Sequence, residues 1–365
     1  MRFFHYWLLP TGYWLFATIG HVARTRSHLK DLTEYAAVRT AVTLMHCFDV
    51  RSNLATAAGV GSLFCRLHSR HYRRAIEHIA DAFPDWSHKQ CERVAMRSIE
   101  NMFRIFMVDS MVMPRLITRS TWPQYLRVGN LKDAMDHFIR DKPAVFITGH
   151  CGNWELLGYA LAVLDYPLYA LARPIDNPLL NDWLLGVREA RGMRIITKWG
   201  AIPVLQKVLR TKGRAGFIAD QDAGEQGLFV PFFGRLASSY KAIGLLALRY
   251  DVPVMGGFAR RIGDRFEYEL STLDVIRPED WADQPDPLFY ITARYTHAIE
   301  KAIRQAPDQY LWAYRRWKSR PRHERTGRPM PSRLIAKLES LPWLTPQDVA
   351  TIVDRSNQAA RQQIR

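Results

Sequence analysis

The stretch AVFITGHCGNWELLG, residues 144–158, decides the fold. Ala144–Thr148 is an apolar run of strand length, a glycine-flanked turn follows, and Asn153 stands where an N-cap opens a helix. The same grammar repeats on both sides. Tyr125–Val128 reads as a strand and Asn130 caps a helix to about Asp141. Further apolar runs at Leu168–Leu171, Met193–Thr197, Gly216–Ala219 and Val252–Phe258 are separated by helical patterns. Such alternation predicts an α/β domain with a mainly parallel sheet flanked by helices. Ile262-Gly263-Asp264-Arg265 breaks the last run before Phe266–Leu270, which predicts a hairpin, and Leu288–Arg304 reads as a helix.

Upstream of this core (119–321), residues 31–118 read as a helical N-terminal layer, with Ser87-His88-Lys89-Gln90 in the form of a capping box. Together 31–321 form the expected main domain. Downstream, RHERTGRPMPSR follows Pro321, so 322–365 read as a basic linker and a C-terminal helix starting near Thr345-Pro346. Residues 1–30 read as a hydrophobic anchor. Phe3–Val22 carries no Asp, Glu, Lys or Arg and is long enough to cross the ~30 Å hydrocarbon layer, though Pro10 and Gly12 interrupt it. Trp7, Tyr13 and Trp14 suit an interfacial belt, and Arg24, Arg26 and Lys30 hold the following side cytoplasmic. A spanning or in-plane anchor fits better than a signal peptide, because no A-x-A cleavage site is evident.

With 365 residues, 48% of them hydrophobic, the chain has enough apolar material for a large core, which excludes disorder and a disulfide miniprotein. Four cysteines without a C-x-x-C pair point to a reducing compartment. Lys and Arg total 51 against 35 Asp and Glu, and the formal charge of +16 favours an anionic partner. Nucleic acid, acidic lipid and an acidic carrier protein all qualify; no zinc-finger spacing, P-loop or RNA-binding block favours nucleic acid.

Chemistry concentrates at the turn. His150 and Glu155 are about 140° apart on a continuous helix, so they meet only if His150 lies in the turn and Glu155 in the first helical turn. A carboxylate on one imidazole nitrogen fixes the tautomer and frees the other to take a proton from a hydroxyl. Gly149 and Gly152 would let backbone N–H groups approach an oxyanion. A plain structural His–Glu pair at a helix start explains the same residues. Cys151 adjoins His150, but neighbours in an extended segment point to opposite sides, which argues against a thiol nucleophile.

The sequence resembles the lipid A late acyltransferases (lauroyl/myristoyl transferases) of the glycerolipid acyltransferase-like superfamily, marked by H-x-x-x-x-D/E, here His150 to Glu155. Arg173-Pro174-Ile175-Asp176-Asn177-Pro178-Leu179 is similar to the family's R-P-x-x-N-P-L block, and Arg188 falls where a functional arginine follows. Ala219-Asp220-Gln221-Asp222-Ala223-Gly224 resembles its acidic block, Phe229-Val230-Pro231-Phe232-Phe233-Gly234 its V-P-F-F-G element, and Trp312–Lys318 with Arg320-Pro321 its basic C-terminal element. Ser239 and Tyr314 depart mildly from the pattern.

The resemblance implies transfer of a fatty acyl chain from an acyl carrier protein or coenzyme A thioester to a hydroxyl of a lipid A precursor, with no metal and no resident cofactor. It implies His150 as general base with Glu155 as its partner, and Asn153, Arg173, Asn177, Arg188 and Asp220 as substrate-binding residues. Each arginine could instead pair with Asp220 or Asp222 and hold loops together. The expected site of action is the cytosolic face of the inner membrane. Other readings are acylation of a mannosylated phosphoinositide, hydrolysis at the same dyad, and a non-catalytic basic protein binding anionic lipid or nucleic acid. Phe229–Phe233 reads as acyl-groove lining or core; Arg315, Arg316, Lys318, Arg320 and Arg322 suit a membrane surface or a solvated basic face.

Overall fold

The computed structural model describes residues 27–362 apart from 141, 198 and 199, so the expected anchor at Phe3–Val22 lies outside the described residues. Helices α1 (His28–Met45), α2 (Val50–Leu67), α3 (Ser69–Ala82) and α4 (His88–Arg104) make the N-terminal layer. The box at α4 forms as read: the Ser87 hydroxyl accepts from the Gln90 N–H while the Gln90 amide reaches back to the Ser87 backbone. A π-helical turn, Ile105–Asp109, then leads into α5 (Ser110–Leu116) and leaves Asp109 fully buried. None of the described helices is long and apolar enough to cross a membrane.

The α/β core runs β1 (Leu126–Val128), α6 (Lys132–Ile139), β2 (Ala144–Thr148), α7 (Trp154–Val163), β3 (Tyr169–Ala172), α8 (Pro178–Glu189), β4 (Arg194–Thr197), α9 (Ala201–Arg210) and β5 (Arg214–Ile218). A small ribbon, β6 (Leu228–Phe232) with β7 (Arg235–Ser239), precedes α10 (Lys241–Tyr250), β8 (Val254–Arg261), β9 (Tyr268–Ile276) and α11 (Pro287–Gln305). The seven-stranded sheet has the order β1-β9-β8-β2-β5-β3-β4, parallel throughout except for the antiparallel pair β8 and β9. This is the mainly parallel, helix-flanked architecture that the alternating pattern predicts.

Alternation along β2 assigns the two faces. Phe146 packs with Ala134, Phe138 and Leu168 on the α6–α7 side, whereas Val145 and Ile147 pack with Leu205, Ile243 and Ile299 from α9, α10 and α11. The chain leaves β2 towards α7 on one face and leaves its neighbour β5 towards α10 on the other. A crevice therefore opens at the carboxyl ends of these two strands, where open α/β sheets bind ligands.

Of the two readings of Phe229–Phe233 the structure has the core one: Val230, Phe232 and Phe233 are buried in the main core and do not line the large cavity. One segment differs from the sequence reading. The stretch read as a linker carries α12 (Arg322–Arg325) and α13 (Ser332–Glu339) before the terminal α14 (Pro346–Gln362), and its Met330, Leu338 and Leu341 join the same core.

Candidate active site

His150 sits just beyond β2, in a turn that only glycine permits at two positions. A Cβ on Gly149 would lie 2.8 Å from Ile299 Cγ2; Gly152 has φ +60°, and its Cβ would lie 2.2 Å from the Ala259 carbonyl oxygen. The backbone of the turn is tied down on both sides. Leu311 N–H donates to the His150 carbonyl at 3.0 Å, Gly152 N–H donates to the Gln309 carbonyl at 3.1 Å, and Asn153 N–H donates to the Ala259 carbonyl at 2.8 Å. The Gly152 N–H is thus engaged and does not face an oxyanion, contrary to the sequence expectation.

His150 Nδ1 lies 2.8 Å from Asp220 Oδ1, and its ring meets Trp154 edge-on at 4.7 Å. Asp220 follows β5, the parallel neighbour of β2, and its side chain is 2% exposed. Burial alone would raise the Asp220 carboxyl, but the facing imidazole, its hydrogen bond and the Arg316 guanidinium hold it below the usual carboxylate range. With Nδ1–H donating to this carboxylate, Nε2 carries the lone pair; among the described residues it has no hydrogen-bond partner.

The carboxylate partner of His150 is therefore Asp220, and the expected His150–Glu155 hydrogen bond is not formed. Glu155, in the first turn of α7, is gripped by Arg188 at the end of α8: Nε donates to Oε2 at 2.9 Å and Nη2 to Oε1 at 2.6 Å. Arg188 accordingly pairs with neither Asp220 nor Asp222. Arg173 stands 3.8 Å from Asp176, a loose pair. Asp222 is occupied by Ser319, whose N–H and hydroxyl donate to it at 3.2 and 2.9 Å.

Both asparagines expected to bind substrate are consumed as helix caps. Asn153 accepts from Leu156 N–H at 2.9 Å and donates to Asp109 at 3.1 Å and Tyr268 at 3.3 Å. Asn177 accepts from Leu180 N–H at 3.2 Å and donates to the Asp31 carbonyl at 3.0 Å and Glu34 at 3.1 Å. Each holds a helix start in place and turns away from the cavity. Arg316, read as part of a basic face, is fully buried; it donates to the Ser238 carbonyl and to Ser239 Oγ, the latter at 2.7 Å. Cys151 is a core residue, and burial pushes its thiol well above the ordinary value, which suits packing and not nucleophilic attack.

His150, Glu155, Arg173 and Arg188 all border one cavity of about 610 Å³ whose walls are otherwise mostly apolar, among them Phe146, Leu157, Leu205 and Ile243. An imidazole held by a buried carboxylate at the edge of such a cavity is equipment for moving a proton beside a bound hydrocarbon chain. The chain belongs to the bacterial lipid A biosynthesis acyltransferase family, whose sequence profile matches residues 21–319.

Particular relatives follow the family. The chain is 24% identical over 269 residues to the lipid A biosynthesis lauroyltransferase of Escherichia coli (strain K12), covering 72% of this chain and 84% of that one. It is 27% identical over 277 residues to a lipid A biosynthesis acyltransferase of Haemophilus influenzae, covering 72% and 83%. It is also 27% identical over 203 residues to the lipid A biosynthesis palmitoleoyltransferase of Escherichia coli (strain K12), covering 55% and 63%. At the level of the family the protein is an acyltransferase.

Proposed function

We propose that the protein transfers a fatty acyl chain from an acyl thioester to a hydroxyl of a lipid A precursor, with His150 as general base and Asp220 as the carboxylate that orients it. The observation that carries this reading is the 2.8 Å His150–Asp220 contact at the margin of an apolar cavity. Nε2 takes the proton from the acceptor hydroxyl as its oxygen attacks the thioester carbonyl. The tetrahedral intermediate collapses with loss of the C–S bond, and the imidazolium returns the proton to the leaving thiolate. Acyl transfer is direct. Glu155 and Arg188 shape the wall beside the reacting carbonyl, and Arg173, at the same wall, suits an anionic group on the acceptor. The lipid A acceptor is supported by family membership and by the printed activities of the relatives.

The donor is proposed to be an acyl carrier protein thioester, which the formal charge of +16 suits. The place of action is proposed to be the cytosolic face of the inner membrane. Leu29, Leu32, Leu44, Phe48, Leu63 and Leu67 are exposed on and between α1 and α2, which supports contact with lipid.

The test uses membranes carrying the wild type or His150→Ala, supplied with acyl carrier protein thioesters and a tetra-acylated lipid A precursor, with products weighed by mass spectrometry. A gain of one acyl chain that vanishes in the variant is expected. No gain with the wild type, while phosphoinositide glycolipid becomes acylated, would reject lipid A as acceptor. Free fatty acid without acylated acceptor would make the protein a hydrolase.

A further inference from the structure

Arg315 and Arg316 are neighbours in the basic Trp312–Lys318 element, yet the fold treats them oppositely. Arg315 and Lys318 are exposed, whereas Arg316 is 1% exposed. A guanidinium in a protein core is costly, so a fold that keeps one there surrounds it with acceptors and a compensating charge. The acceptors are neutral oxygens: Nη1 donates to the Ser238 carbonyl and, at 3.5 Å, to that of Gln221, while Nη2 donates to Ser239 Oγ at 2.7 Å. The ring of Phe232 lies 5.1 Å from the guanidinium carbon. Nε has no hydrogen-bond partner, and among the described residues no carboxylate comes within ion-pair distance of Arg316.

The compensating charge stands one residue from the Gln221 carbonyl. Asp220 is itself buried, and its carboxylate feels the Arg316 charge as well as that of His150. The other titratable groups facing Arg316 are the phenols of Tyr295, Tyr310 and Tyr314, which burial keeps neutral. Those facing Asp220 besides His150 and Arg316 are the Tyr310 phenol and the Cys151 thiol, both neutral for the same reason. Asp222 is taken by the N–H and hydroxyl of Ser319, and its own N–H donates to Tyr314 Oη at 3.1 Å. Residues 314–319 thus bracket the loop 220–222, with the buried cation at its centre.

We propose that Arg316 is a positioning residue of the proton-transfer pair: its charge balances that of Asp220 and its hydrogen bonds hold the loop that carries Asp220, so that this carboxylate orients His150. Arg316 does not line the large cavity and acts only through Asp220. The basic C-terminal element therefore serves the reaction through one buried cation, not through its exposed ones. This inference rests on the acyl-transfer reading above.

The experiment uses the full-length protein with Arg316→Gln, which removes the charge, and Arg316→Lys, which keeps it. Chemical denaturation first establishes that each variant is folded. Arg316→Met, which fills the same core space without a polar head, replaces the glutamine variant where that one does not fold. His150 is then carbethoxylated with diethyl pyrocarbonate across the acid range, and its peptide is scored by mass spectrometry. Only the neutral imidazole reacts, and no turnover is needed. Wild type and Arg316→Lys are expected to begin reacting at the same pH. Arg316→Gln is expected to begin about one pH unit higher, because the His150–Asp220 pair then gives up its proton less readily. The acid limb of kcat/KM for acyl transfer is expected to move with it. A merely structural role for Arg316 would lower kcat at every pH and leave both onsets in place, and that result overturns the proposal. An onset displaced equally by lysine and glutamine overturns it too. The expected shift of onset, in a protein whose wild type transfers no acyl chain, would instead overturn the acyl-transfer reading and retain the action of Arg316 on the His150–Asp220 pair.

Discussion

At the scale of single residues, His150 and the carboxylate that faces it follow different strands, β2 and β5. Asp220 is 70 positions from His150 in sequence, and they meet because β2 and β5 lie side by side in register, with Thr148 opposite Ile218. An Asp220→Asn substitution keeps the shape of the side chain but no longer stabilises the imidazolium, and it permits the wrong tautomer. By analogy with the serine-protease triad, kcat is expected to fall about 10³–10⁴-fold with KM little changed. A steady-state comparison of the two proteins checks this, and a variant retaining more than about a tenth of the wild-type kcat would remove Asp220 from the mechanism. The sequence pattern exposes His150 and Glu155 because they share one short motif. It hides the role of Asp220, since strand adjacency is a tertiary fact that no local spacing records.

At the scale of elements, the turn between β2 and α7 is the most constrained segment of the site. Gly152→Ala places a Cβ 2.2 Å from the Ala259 carbonyl and does so at φ +60°. Left-handed strain alone costs on the order of 1–3 kcal/mol, and the clash adds to it. A lower denaturation midpoint with weakened activity is expected, and unchanged midpoints in chemical denaturation would contradict this account. Legibility also varies by element. Strands such as Ala144–Thr148 announce themselves as short apolar runs between turn residues, and α4 by its capping box. The β6–β7 ribbon does not, because Pro231 sits mid-strand opposite Leu236 and argues against a strand; a two-stranded ribbon tolerates it at an open edge. Helix α13 is masked by the surrounding proline and arginine, although Leu338 is completely buried. Truncating it, Leu338→Ala, is expected to destabilise the fold by about 2–5 kcal/mol. Denaturant titration reads this directly, and a loss under about 0.5 kcal/mol would mean that α13 is only loosely held.

At the scale of the whole molecule, stability is expected to fall as the solution is acidified. His297 is stacked on Trp343 at 5.3 Å, and burial, followed by the nearby Lys301, lowers its pKa from 6.5 to about 4; Arg304 acts the same way and Asp274 opposes them. The folded state thus refuses a proton that the unfolded chain accepts. The stabilisation is present above pH 6.5 and is lost as pH falls from there towards about 4. His297→Phe keeps the stack and removes the titration, so the drop in melting temperature between neutral pH and about pH 5 is expected to shrink. An identical drop in both proteins would assign the acid sensitivity to other groups.

The bonds that join Leu311 to His150 and Gln309 to Gly152 also set a timetable for synthesis. The turn that carries His150 leaves the ribosome long before the residues that brace it, and α13 and α14, which add Leu338 and Ile352 to the core, follow later still. While translation is under way, the helical layer and the first strands are present before the His150 turn is braced. The proposed acyl transfer thus depends on Gln309 and Leu311 having folded against a turn that is made long before them, so a chain stalled between the two is expected to lack activity.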